Sequence, residues 1–184
     1  YRDKGDFDRA MADFTQALKL NGRNVAALDG RGVSYRAKGD FDRAVADLDQ
    51  AIKLDPRSAA TFNDRGVTHG LRGDVARALA DFDQALTLDP KNGVALNNRG
   101  VALRSRGDTE RALADFTQAT RLDAGYAAAH ANRGELLLEK RDYDGAVAAF
   151  NEAVKLAPGL AAAFNGPGLA YDPKGDYERA ITDF

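Results

Sequence analysis

The sequence predicts an all-α fold, a right-handed solenoid of tandem helix–turn–helix repeats. The main observation is a phrase beginning Arg-Gly-Val that starts at Arg31, Arg65 and Arg99 and therefore returns every 34 residues. A fixed period of about 34 residues is typical of helical solenoids. Two further observations support the prediction: apolar residues follow helical spacing within each period, and Gly-Asp pairs separate the helices.

The period divides the chain into four complete repeats and a partial repeat at each end. The complete repeats are 25–58, 59–92, 93–126 and 127–160, and the partial repeats are 1–24 and 161–184. We expect one continuous solenoid over residues 1–184, without an internal domain boundary. Because the chain begins within a repeat, we also expect it to be a piece of a longer protein.

Each repeat is predicted to contain a first and a second helix. In the second helix of the first complete repeat, the apolar residues follow i, i+3, i+4 and i+7 steps, which place them on one face of an amphipathic helix. They are Phe41, Ala44, Val45, Leu48, Ala51, Ile52 and Leu54.

The residues between the helices have the chemistry of helix ends. A glycine is expected to close each first helix in a left-handed conformation, and the aspartate after it is expected to cap the second helix. These pairs are Gly39-Asp40, Gly73-Asp74, Gly107-Asp108 and Gly175-Asp176. Arg141 replaces the glycine once, at a cost of about 1 kcal/mol if it is left-handed. Pro167 and Pro173 should each interrupt the last first helix, at about 3 kcal/mol.

Composition disfavours several classes of function. Lys and Arg number 26 against 28 Asp and Glu, a net charge of −2, which does not favour nucleic-acid binding. The absence of cysteine excludes disulfides and thiolate metal sites. No apolar run approaches the roughly 18 residues of a membrane-spanning helix, so we expect no membrane insertion.

The residues that usually carry catalysis form no recognisable set. His69 and His130, the only histidines, stand at positions that are apolar or tyrosine in other repeats, without a carboxylate cluster in phase. We therefore expect no enzyme activity, no metal and no cofactor.

Small and aromatic residues recur at set places within the repeats. The small residues are Gly32, Gly66, Gly100 and Gly134, and an alanine precedes a large residue by four positions at Ala44/Leu48, Ala78/Phe82, Ala112/Phe116 and Ala146/Phe150. With this pattern the whole chain resembles the tetratricopeptide repeat (TPR) family. The small residues would let the two helices of a repeat approach closely.

The resemblance implies a non-enzymatic scaffold that binds a peptide or a partner protein in a concave groove lined by the first helices. A row of asparagines there could bind peptide backbone, since each amide both donates and accepts. The groove residues implied are Asp29, Arg36, Asn63, Asp64, Asn97, Asn98, Arg104, Asn132 and Glu135. The two arginines are expected to favour an acidic partner near the middle repeats.

Two alternative functions stay open. The chain could be the substrate-recruiting region of a larger enzyme. It could also be a structural solenoid that associates end to end, because a repeat cut at its boundary exposes apolar surface. The residues expected at these ends are Tyr1, Phe7, Met11, Tyr177, Ile181 and Phe184.

In all four complete repeats an arginine directly precedes the recurring glycine of the first helix. In three of them an aspartate directly precedes the large apolar residue of the second helix. The pairing could lie within a repeat or between repeats. Ala149 lacks the aspartate and Pro167, eighteen residues later, lacks the arginine, so the between-repeat register places both losses in one pair. We therefore predict the pairs Asp13–Arg31, Asp47–Arg65, Asp81–Arg99 and Asp115–Arg133.

Overall fold

The computed structural model describes residues 7–158 of the chain. Over that range the backbone forms nine α-helices and no strand, which confirms the prediction of an all-α helical-repeat solenoid. Helices α2, α4, α6 and α8 are the first helices of the four complete repeats. The helices are α1 (Phe7–Leu20), α2 (Val25–Ala37), α3 (Phe41–Leu54), α4 (Ala59–Leu71), α5 (Val75–Leu88), α6 (Gly93–Ser105), α7 (Thr109–Leu122), α8 (Ala127–Glu139) and α9 (Tyr143–Leu156).

The chain divides into two compact units, one ending at Asn98 and the other beginning at Arg99, so the boundary lies within α6. The continuous solenoid over residues 1–184 stays a prediction, as does end-to-end association. Several predicted features lie outside the described residues: Pro167, Pro173, Gly175-Asp176, Tyr1, Tyr177, Ile181 and Phe184.

The helix ends follow the predicted chemistry with one exception. Asp40 and Asp74 each accept a hydrogen bond at 3.1 Å from the backbone amide three residues later, at the start of α3 and α5. Asp108 occupies the same place before α7 but makes no capping hydrogen bond. Its carboxylate accepts instead from Nη1 of Arg111 at 3.3 Å.

Each first helix ends in a residue of positive φ. Gly39, Gly73 and Gly107 have φ of 77°, 88° and 79°. Arg141 has φ of 63°, so it does adopt the left-handed conformation, and the cost of about 1 kcal/mol expected for that case applies.

The two helices of a repeat meet at a glycine. A Cβ built on Gly66 would lie 2.7 Å from Cε1 of Phe82 and 3.2 Å from the carbonyl oxygen of Ala78. Gly100 has the same relation to Phe116, at 2.6 Å, and both rings are buried. The second helix therefore lies against bare backbone of the first, in a contact that any side chain would push apart.

This packing places the arginine before each glycine beside the aspartate of the same repeat. Nε and Nη2 of Arg31 donate to the two carboxylate oxygens of Asp47 at 2.6 and 2.7 Å. Arg65–Asp81 and Arg99–Asp115 repeat this bidentate geometry, with distances between 2.6 and 2.9 Å.

The predicted between-repeat register is therefore wrong. In place of the predicted pairs Asp13–Arg31, Asp47–Arg65, Asp81–Arg99 and Asp115–Arg133, the described residues form three pairs within repeats, Arg31–Asp47, Arg65–Asp81 and Arg99–Asp115. They lie within repeats because the glycine–ring contact and the ion pair share one helix–helix register. Neighbouring repeats are linked through a different carboxylate: Nη1 of Arg65 donates to Asp49 at 2.6 Å. Together Asp49 and Asp81 hold the pKa of Arg65 far above its usual value.

His69 lies in the core of the first unit beside one of these pairs. Its side chain is buried, with Nε2 3.9 Å from a carboxylate oxygen of Asp81, and its Nδ1 has no hydrogen-bond partner within residues 7–158. Burial lowers the pKa of His69 below 6.5, and the charge of Asp81 opposes this shift only in part. The neutral imidazole is therefore the form compatible with the fold.

We predict that replacing Ala78 by leucine destabilises the protein by about 1–3 kcal/mol through overpacking. Ala78 is 0% exposed at the point where α4 and α5 meet. Chemical denaturation measures the effect. An unchanged unfolding midpoint for Ala78→Leu would contradict this helix packing.

We also predict that acid destabilises the chain through His69. The unfolded histidine binds a proton near pH 6.5 and the folded one only at lower pH, so stability is complete above about pH 6.5 and falls as pH drops through the folded pKa. Asp81, Arg65, Asp74 and Arg77 supply the charges that act on the ring. Urea denaturation between about pH 8 and about pH 5 tests this, with His69→Leu as the control because Leu103 holds the same place in the next repeat. An identical pH dependence of the two proteins would refute it.

Candidate functional site

Polar side chains link neighbouring first helices in the first compact unit. Nη1 of Arg36 on α2 donates to Oδ1 of Asp64 on α4 at 2.9 Å and to its backbone carbonyl at 3.0 Å. Nδ2 of Asn98, on α6, donates to Oδ1 of Asn63, on α4, at 2.9 Å. Four of the predicted groove residues are thus brought together in two contacts.

The asparagine pair keeps hydrogen-bonding capacity. Each carboxamide has two donor hydrogens and one acceptor oxygen, and the bond between the two side chains uses one donor of Asn98 and one lone pair of Asn63. The amide nitrogen of Asn63 and the carbonyl oxygen of Asn98 make no further hydrogen bond among the described residues. Both residues are half-buried, so solvent reaches them.

The Arg36–Asp64 pair is close to electrically neutral. The two side chains are 18% and 23% exposed, so the ion pair is partly buried. The sequence led us to expect that Arg36 would favour an acidic partner. In the structure the charge of Arg36 is already paired with that of Asp64.

Two other predicted residues of the first unit are less accessible. Asn97 is buried, at 6% exposure. Asp29 is half-buried, and its Oδ1 is shielded from solvent. The family resemblance implied both as groove residues, and that assignment stays a prediction.

The second unit has its own polar contact between first helices. Arg104 on α6 donates through Nη1 to Oε2 of Glu135 at 2.5 Å and through Nε to Oε1 of Glu139 at 3.0 Å, both on α8. Burial alone would lower the pKa of Arg104, but these hydrogen bonds raise it overall. Asn132, also on α8, is half-buried and has a polar partner. Arg104, like Arg36, is already neutralised.

The described part of the chain contains neither a metal-binding cluster nor a membrane-spanning helix. Within residues 7–158, no three His, Asp or Glu side chains converge as metal ligands would. Nε2 of His130 lies 3.2 Å from the carbonyl oxygen of Ala124. None of the nine helices in this range has the length and apolarity needed to span a bilayer.

Solved structures share this fold. A crystal structure of MamA superposes with a TM-score of 0.75 at 26% identity, covering 89% of each chain. YrrB, described as a TPR protein with an unusual peptide-binding site, has a TM-score of 0.70 at 24% identity and covers 92% of this chain and 88% of its own. PilF of Pseudomonas aeruginosa has a TM-score of 0.88 at 18% identity and covers 100% and 83%. No curated protein sequence matches the chain significantly.

The sequence itself matches the profile of a known repeat. The tetratricopeptide repeat profile aligns with residues 1–59, 30–93 and 97–161, which together span most of the chain. The glycine–ring contacts, the paired helices and the 34-residue period all lie within these matches. The chain belongs to the tetratricopeptide repeat family.

Proposed function

We propose that this chain is a non-enzymatic protein-interaction scaffold that binds an extended peptide, or an extended segment of a partner protein, along its first helices. Membership of the repeat family supports an interaction scaffold. The observation that carries the finer proposal is the Asn63–Asn98 contact, which leaves the amide group of Asn63 and the carbonyl oxygen of Asn98 unused on a half-buried face.

The chemistry of this pair suits a peptide backbone. An extended backbone presents alternating N–H and C=O groups, and the free amide of Asn63 and the free carbonyl of Asn98 complement one of each. Such contacts do not depend on the ligand side chains. The neutral Arg36–Asp64 pair beside them adds no charge preference in the first unit.

We predict that the double variant Asn63→Ala, Asn98→Ala binds peptide about tenfold more weakly, since two hydrogen bonds of about 0.5–1.5 kcal/mol each are lost. The probes are peptides selected from a displayed random library by the wild-type protein, with affinity measured by calorimetry. The thermal midpoint should change little, because both side chains are only half-buried.

The matched control is Gln16→Ala, Gln118→Ala. It also removes two carboxamides, but from exposed positions on the second helices α1 and α7. We expect wild-type affinity from this variant. Equal losses in the two double variants, or failure of the library to yield any binding peptide, would refute the proposed function.

A further inference from the structure

One first-helix arginine lacks the partner that its counterparts have. Arg31, Arg65 and Arg99 each hold an aspartate of their own repeat through two hydrogen bonds. Arg133 occupies the same place on α8, but the matching residue on α9, sixteen positions later, is Ala149. Ala149 is 2% exposed and offers no acceptor side chain.

The second acidic position around this arginine is also changed. Arg65 receives a further carboxylate from Asp49, sixteen positions earlier. The residue sixteen positions before Arg133 is Thr117, which carries no charge. Both acidic groups that would neutralise the guanidinium are therefore missing from the fourth repeat.

Three described acids on α7 and α8 are held by other arginines. Asp115 is held by Arg99, while Glu135 and Glu139 are held by Arg104. Nε of Arg133 is buried and has no hydrogen-bond partner among the described residues. The side chain as a whole is half-buried, so a ligand from solvent could reach its outer nitrogens.

An arginine in this state is a receptor for a carboxylate. The guanidinium stays protonated and offers five donors in a planar fork that matches the two oxygens of a carboxylate. A buried donor without an acceptor is unfavourable, so a ligand that supplies the acceptor gains that free energy on binding. The three sister repeats show that this position binds a carboxylate through Nε and Nη2.

We propose that Arg133 binds the carboxylate of an aspartate or glutamate side chain of the partner peptide, in the place that an internal aspartate fills in the other repeats. This inference rests on the proposed function and makes the fourth repeat selective for an acidic residue, whereas the Asn63–Asn98 contact is indifferent to ligand sequence. The acidic preference expected for Arg36 and Arg104 belongs to Arg133 instead.

The first experiment needs no partner. In protein labelled with ¹⁵N, sodium acetate should shift the Nε–Hε resonance of Arg133 saturably, at least threefold more than those of Arg31 and Arg99, with sodium chloride at equal ionic strength as the blank. Ala149→Asp supplies the missing internal carboxylate and should remove that response without lowering the thermal midpoint. Equal shifts for the three arginines, or an undiminished response in Ala149→Asp, would overturn the proposal.

The second experiment uses the peptides selected by the wild-type protein. We expect these peptides to share an acidic residue at one position. They should bind the variants Ala149→Asp and Arg133→Gln about tenfold more weakly than the wild-type protein. The same peptides with Gln or Asn at that position should bind the wild-type protein and both variants with equal affinity. Binding that is unaffected by either variant overturns the role of Arg133 but leaves the proposed function standing. If no peptide is selected, the proposed function fails and the acetate titration alone decides the carboxylate site.

Discussion

The close approach of a first-helix glycine to a second-helix ring is the contact on which the rest of each repeat depends. A Cβ on Gly134 would lie 2.8 Å from the ring of Phe150, and a Cβ on Gly32 would lie 2.9 Å from Cγ of the smaller Leu48. Close-packed interiors cannot absorb an extra methyl group at such distances without moving a helix. The glycine therefore determines how far apart the two helices lie and which of their residues face each other.

The polar contacts follow from that register. Because each arginine precedes the glycine and each aspartate precedes the ring, the packing that joins Gly66 to Phe82 also joins Arg65 to Asp81. The charges used inside the repeats are unavailable to a ligand. The proposed recognition therefore uses neutral hydrogen bonding at the asparagine pair and, where the internal aspartate is missing, the guanidinium of Arg133 on α8.

Much of the fold could be predicted from local chemistry. The period, the apolar stripes, the glycine helix ends and the left-handed Arg141 depend only on residues close in sequence, and the structure confirms them. The ion-pair register could not be predicted, because it depends on which of two neighbouring helices each arginine meets. Counting the losses at Ala149 and Pro167 favoured the wrong neighbour. The burial of Asn97, at 6% exposure, was likewise not visible in the sequence, because burial depends on residues far along the chain.

The most direct measurement compares Gly66→Ala with Gly70→Ala by chemical denaturation, since both glycines lie on α4. Alanine has the higher helix propensity, by up to about 1 kcal/mol, so it favours the helix at both sites. At Gly70 the new methyl group meets only Cβ of Ala78 among the described residues, at 3.8 Å, and we predict unchanged or increased stability. At Gly66 it meets the buried ring of Phe82 at 2.7 Å, and we predict a net loss of about 1–3 kcal/mol. If Gly66→Ala were as stable as Gly70→Ala, the glycine–ring contact would not set the register of the repeat.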